Sequence, residues 1–143
     1  MRAVIDTNVF VSALINPNGK AFQILSLILN QKISVLYDSR ILNEYFGVLK
    51  RPKFGFNEEL IHSIIDFVKS TGEFIPSEPV RIKFNDESDR PFYEVALTGR
   101  ADFLVTGNLK HFPKTGKKLK IASPAKFIDH YLLLKKTGFT KKP

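Results

Sequence analysis

Asp6, Glu44 and Asp89 are the residues whose types and positions suggest chemistry. Asp6 directly follows the apolar run Ala3-Val4-Ile5, at the carboxyl end of a short buried strand, where open parallel α/β sheets carry their functional groups. Glu44 falls within the helical segment after a second apolar run, and Asp89 stands just before a helix that begins near Pro91. The three are 38 and 45 residues apart, so spacing alone does not bring them together. Each also has a plainer reading. Asp6 can cap a helix, Glu44 can sit on the surface four positions after Arg40, and Asp89 can cap the helix ahead of Pro91. The chain has no cysteine, which excludes disulfides, thiolate metal sites and cysteine nucleophiles. Carboxylate oxygens without sulfur or paired histidines select hard cations such as Mg²⁺ or Mn²⁺, and such a site suits phosphoryl chemistry. Clustered acids repel one another until a divalent ion binds, so at least one of their pKa values is expected to be raised.

The elements that must position these acids alternate along the chain. After Ala3–Ile5 comes a helical stretch from Val9 to Ile15, broken by Asn16-Pro17-Asn18-Gly19, then a helix carrying Ala21, Ile24, Leu25 and Ile28 at core spacing. Ile33–Tyr37 reads as a second strand, with Asp38 or Ser39 capping a helix that runs to about Leu49. Asn57 opens a further helix with Glu58 and Glu59 in its first turn, a buried stripe of Leu60, Ile61, Ile64, Ile65 and Val68, and a stop at Gly72. Either Glu73–Ile75 or Val80–Ile82 supplies a third strand. Asp102–Thr106 reads as a fourth, Leu119–Ala122 as a short fifth, and Pro124 to about Leu134 as the last helix. The alternation predicts a three-layer α/β/α sandwich around a mostly parallel sheet of four to five strands, with right-handed crossovers.

A chain of 143 residues with 43% hydrophobic content suits one domain, here residues 1–134, followed by a basic, flexible tail from 135 to 143. No apolar stretch approaches a membrane span, and Asp6 and Asn8 interrupt what would be the apolar part of a signal peptide, so the chain reads as cytoplasmic with no membrane partner. The net charge of +8 is uneven. Residues 110–143 hold ten Lys and Arg against one acid, Asp129, while the rest of the chain holds 12 basic and 13 acidic residues. That asymmetry suggests an acidic polymer as partner, with Lys110, His111, Lys114, Lys117 and Lys118 following the acids directly as candidate phosphate contacts. Most of the 13 Phe and 4 Tyr fall at core spacings; Phe112 and Phe139, among lysines, are the candidates for base stacking.

Three pieces of the chain, VIDTNVFVSAL, ILNEYFGVL and NDESDRPFYEVALTGRADFLVTGNLKHF, resemble in order the corresponding segments of PIN domains, the metal-dependent nuclease family that includes VapC-type toxins. The resemblance implies that Asp6, Glu44 and Asp89 are the metal-binding acids of a Mg²⁺- or Mn²⁺-dependent site. It also implies Asp86 as an outer ligand and leaves Glu87 solvated. Asn108 stands where many relatives carry a fourth aspartate, which puts a second metal in doubt; its plain alternative is a turn residue. Hydrolysis leaving a 5′-phosphate and a 3′-hydroxyl is implied. Single-stranded RNA is the expected substrate, because its bases can be splayed and read. The same resemblance implies an antitoxin protein as partner and, by analogy, a homodimer.

Other classes compete with this reading. The same core serves in RNA processing and quality control, and some PIN domains cut DNA structures. A weakly catalytic, PIN-like RNA-binding module is suggested by the basic tail and Asn108. A haloacid-dehalogenase-like phosphatase also begins with a strand and an acid, but needs a second aspartate where this chain has Asn8.

Overall fold

Ala3, Val4 and Ile5 have no exposed surface, and this is why so short a segment holds a strand. It forms β1 (Arg2–Ile5), the middle of a five-stranded sheet. The computed structural model describes residues 1–113 and 119–137. Along the chain, β1 is followed by α1 (Thr7–Ile15), α2 (Lys20–Leu29), β2 (Ser34–Tyr37), α3 (Ser39–Leu49) and α4 (Glu58–Thr71). Then come β3 (Glu73–Phe74), α5 (Arg90–Thr98), β4 (Phe103–Val105), β5 (Ile121–Ala122) and α6 (Pro124–Lys136).

The strands lie in the order β3-β2-β1-β4-β5, and every neighbouring pair is parallel. In register, Ala3 faces Val35 on one side and Phe103 on the other. The connection from β1 to β2 and that from β3 to β4 run in opposite directions across the sheet. Right-handed crossovers therefore put α5 on the opposite face from α1 and α2. The expected α/β/α sandwich is the fold. The crevice where the connections diverge, between the carboxyl ends of β1 and β4, is the place where parallel sheets bind ligands.

Local sequence explains the helix starts. Asp38 accepts from the Ile41 N–H at 3.0 Å, Asn57 from the Leu60 N–H at 3.1 Å, and Ser123 from the Lys126 N–H at 3.2 Å. Two details differ from the sequence reading. The third strand is Glu73–Phe74, while residues 80–82 form no ladder; the Arg90 guanidinium instead holds the Val80 and Ile82 carbonyls at 2.7 and 2.6 Å. Leu60 is 44% exposed, because the buried stripe of α4 is carried by Ile61, Ile64, Ile65 and Val68 alone. α6 runs on to Lys136, with Lys135 and Lys136 in its last turn where cations complement the dipole. The rest of the expected tail, residues 138–143, lies outside the described residues.

A candidate acidic active site

The carboxyl ends of the three central strands are Tyr37, Ile5 and Val105, so the next residues, Asp38, Asp6 and Thr106, lie side by side along one edge of the sheet. Asp6 stays in the ladder through its N–H, which donates to the Val105 carbonyl at 2.9 Å. Its side chain is buried and makes no capping bond to α1. Asp6 Oδ2 instead accepts from Thr106 Oγ1 at 2.7 Å and from Asn8 Nδ2 at 3.3 Å. Asn8 Oδ1 in turn accepts the Gly107 N–H at 3.1 Å, and Thr106 Oγ1 accepts the Asn108 N–H at 3.0 Å. Asn8 and Thr106 thus tie the two sides of the crevice together around one carboxylate. Burial raises the pKa of Asp6, and the donors Thr106, Thr7 N–H and Asn8, with the nearby His111, pull the other way.

Glu44 is placed by α3. One residue on, the buried Tyr45 hydroxyl donates to the Ile5 carbonyl, which fixes the helix against the end of β1. Thr7 Oγ1 donates to Glu44 Oε2 at 3.3 Å, so the residue after Asp6 also touches the second acid. Arg40 does not pair with Glu44. Its guanidinium reaches Asp38 at 2.7 Å and Glu94 at 2.8 Å, which removes the plain reading of Glu44 as half of a surface ion pair. Tyr45 is held protonated, its pKa pushed well up by burial and by the charges of Asp6, Glu44 and Asp38.

Asp89 sits at the start of α5 and, like Asp6, makes no capping bond. Its Oδ2 is buried and accepts no hydrogen bond. His111 Nδ1 stands 3.3 Å away, within ion-pair reach but not aligned to donate. Burial first, then the charge of Asp6, with Asp86 and Glu44 adding, push the Asp89 carboxyl up to about 6, against the pull of His111. Asp89 thus lies in the field of Asp6, Asp86 and Glu44. Asp86 spends Oδ1 on the Ser88 N–H and hydroxyl, at 2.9 and 2.7 Å, and these hold its pKa down. Glu87 is exposed and paired with Arg90 at 2.7 Å.

Asn108 is exposed and enters the network through its backbone N–H rather than its amide side chain. Lys110 is exposed on the short turn Leu109–His111, and His111 on the same turn reaches Asp89. Lys114, Lys117 and Lys118 lie outside the described residues, as does Phe139. Phe112 is only 5% exposed, so it packs in the core and offers no ring to a base. The positioning roles of Asn8, Thr106 and Tyr45 were missed from sequence, since their partners are far away along the chain; the short Asp-Thr-Asn run after β1 was the available signal.

An acidic crevice at the switch point of a parallel α/β/α sandwich lies where such folds bind their ligands. This chain belongs to the PIN-domain family, which it matches over residues 2–110. PIN domains are in general nucleases and typically use divalent metals. The chain is also similar to an uncharacterized protein of Methanocaldococcus jannaschii, with 34% identity covering 92% of each chain.

The residues present suit such a cation in donor chemistry. Among the described residues no three Asp, Glu or His side chains form a closed metal cage as they stand. Mg²⁺ does not require one, being held by one or two carboxylates with waters completing its shell. The buried Asp89 oxygen without a hydrogen bond, in the field of two further carboxylates, is the group a divalent cation would satisfy.

Proposed function

We propose that this protein is a Mg²⁺- or Mn²⁺-dependent endoribonuclease that hydrolyses phosphodiester bonds in single-stranded RNA at the Asp6, Glu44 and Asp89 centre. The observation that carries the reading is the orphaned Asp89 Oδ2 in the field of Asp6 and Glu44. A bound divalent ion supplies charge neutralisation at the phosphate and a more acidic water. The chain's own residues do the rest. Asp6, Glu44 and Asp89 would hold the ion, with Asp86 outside them and Asn108 offering a neutral amide at the rim. Thr106 and Asn8 keep Asp6 in place, and Tyr45 and Thr7 do the same for Glu44. His111, 3.3 Å from Asp89, and Lys110 on the same turn would meet the nonbridging oxygens of a substrate phosphate.

The finer biological reading is the toxin half of a toxin–antitoxin pair, held inactive by a small protein partner. It rests on the resemblance of this chain to PIN domains, the family that includes VapC-type toxins. Purification of the tagged chain from its native cells, with a small co-purifying protein that suppresses cleavage, tests it; an active protein emerging alone points instead to RNA processing.

Cleavage of pooled labelled RNAs and single-stranded DNAs with Mn²⁺, with EDTA and with Asp6→Asn tests the enzymatic reading. Metal-dependent cutting of RNA, lost in the variant, is expected. Intact nucleic acid throughout, from folded protein free of a partner, would leave a binding module, and cutting confined to DNA would overturn RNA as the substrate.

A further inference from the structure

The connection from α3 to α4 carries features that play no part in the acidic centre. Gly47 lies inside α3, where glycine is the poorest helix former after proline. Packing does not require it, since a Cβ there would meet nothing within 4 Å. Bare backbone is what this glycine provides, and close approach of another molecule is one use of bare backbone. Glu44, Gly47 and Val48 follow at helical spacing, so they line one stripe of α3 leading toward its carboxyl end. Arg51 lies two residues beyond the last residue of α3, at the cap of the turn that follows. It is exposed and, among the described residues, has no ion-pair partner.

Beyond Arg51 the chain turns tightly through Pro52–Phe54, and Gly55 takes a φ of 63°. That turn brings the Phe54 and Phe56 rings parallel, with centroids 5.3 Å apart and planes within 10°. Phe56 packs against the core, while Phe54 is only half-buried. Lys53 Nζ lies 5.1 Å from the Phe54 centroid, and Lys50 Nζ 4.5 Å from that of Phe46. Three cations within four residues face one acid here, Glu58, which Lys50 meets at 3.8 Å.

We propose that this shoulder is a binding path for single-stranded RNA, in which a strand leaving the acidic centre crosses the bare backbone at Gly47, sets a phosphate on Arg51 and stacks a base on Phe54. Interleaved cations and aromatic rings are the usual means of holding single strands without reading sequence, whereas the bases of a duplex are not free to stack. An exposed cation–π contact is weak, so an arriving base displaces Lys53 from the ring and leaves it beside the backbone. The inference deepens the nuclease reading, but it is tested by binding alone.

The test is fluorescence anisotropy with a labelled oligouridylate of about ten nucleotides, in EDTA so that the RNA stays whole. Arg51→Ala and Phe54→Ala are each expected to raise Kd about tenfold. Arg51→Ala also lowers the slope of log Kd against log salt by about 0.7. Gly47→Leu weakens binding while its thermal midpoint stays level or rises, an outcome that a merely structural glycine does not give. Lys20→Ala, an equal loss of charge on α2, leaves Kd within about twofold. The proposal is overturned if Arg51→Ala and Gly47→Leu bind like the parent, if Lys20→Ala weakens binding equally, or if the parent binds no RNA. Should Phe54→Ala fail to fold, the two exposed positions decide. The parent with Mn²⁺ on the same RNA is a separate arm: no cutting with graded binding defeats the nuclease reading and leaves the path standing.

Discussion

Thr106 and Asp6 stand 100 residues apart in the chain, and one buried hydrogen bond of 2.7 Å joins their side chains. The bond ties Asp6 Oδ2 to the end of β4 and so fixes the carboxylate. Thr106→Val keeps the shape but removes the hydroxyl, which also strands the Asn108 N–H that it accepts. Groups that orient a ligand in this way are worth about 10–100-fold in metal affinity or activity. Mn²⁺ titration by calorimetry is expected to show that loss; an unchanged affinity would mean that Thr106 matters only to the fold.

Asp89 makes the metal-free protein sensitive to pH. Its carboxyl is raised to about 6 in the folded chain, chiefly by burial and then by Asp6, from about 3.9 when unfolded. A carboxyl raised in this way contributes stability that is whole below the unfolded value and is lost as pH climbs through the folded one. The melting temperature without metal is therefore expected to fall between about pH 4 and pH 6. Asp89→Asn flattens that fall. Parallel curves for the two proteins would show that the strain lies elsewhere.

The same repulsion predicts stabilisation by metal at neutral pH. With Mn²⁺ at about 100 times its Kd, linkage gives about 2.7 kcal/mol. Melts in Mn²⁺ and in EDTA are expected to separate accordingly for the parent and to converge for Asp89→Asn. Coincident melts for the parent would count against the centre as a metal site.

Glu94 is buried on α5, and its oxygens accept from Arg40 at 2.8 Å and from the Val80 N–H at 2.8 Å, with Arg90 at 3.5 Å. Burial alone would raise its pKa, but the Val80 N–H and the two arginines outweigh it and hold it down. Its contribution is thus present above the ordinary glutamate range and is lost as pH falls through the folded value. Glu94→Ala leaves Arg40 and the Val80 N–H without their partner and is expected to cost about 3 kcal/mol in denaturant unfolding. A loss near zero would mean that the segment from 76 to 83 is held by Arg90 alone.

Gly72, between α4 and β3, has no room for a side chain. A Cβ there would lie 2.3 Å from the Val35 carbonyl oxygen and 2.6 Å from that of Val68. Both obstacles are backbone, so neither yields by changing rotamer. Gly72→Ala is expected to destabilise by about 1–3 kcal/mol and to loosen the β3 edge, whereas Gly47→Ala, with open space around it, stabilises. Hydrogen exchange at Phe74 and Ile75 reads the first effect directly.

Much of this was legible in sequence because it is local. Caps at Asp38 and Asn57, the stop at Gly72 and the apolar period of α2 each depend on neighbours within a turn or two. Asp6, Glu44 and Asp89 were legible as a set only through the resemblance to PIN domains, since alternation places such residues near one edge of a parallel sheet but does not by itself bring them together. What escaped depends on distant partners. Asn8 and Thr106 find their partners only once β1 and β4 pair. Arg40 looked like a partner for Glu44, but it is drawn to the more deeply buried Asp38 and Glu94. Residues 80–82 have strand-like composition, yet Arg90 takes the carbonyls that a ladder would need.

The bond from Asp6 to Thr106 also sets when the acidic centre is completed. During synthesis Asp6 emerges early, but its aiming hydroxyl belongs to a strand made about 100 residues later. Pairings so distant in sequence form late. A fragment ending before Phe103 would therefore carry all three acids, Asp6, Glu44 and Asp89, but neither β4 nor the hydroxyl that holds Asp6, and on the proposed reading it would leave the message being translated intact.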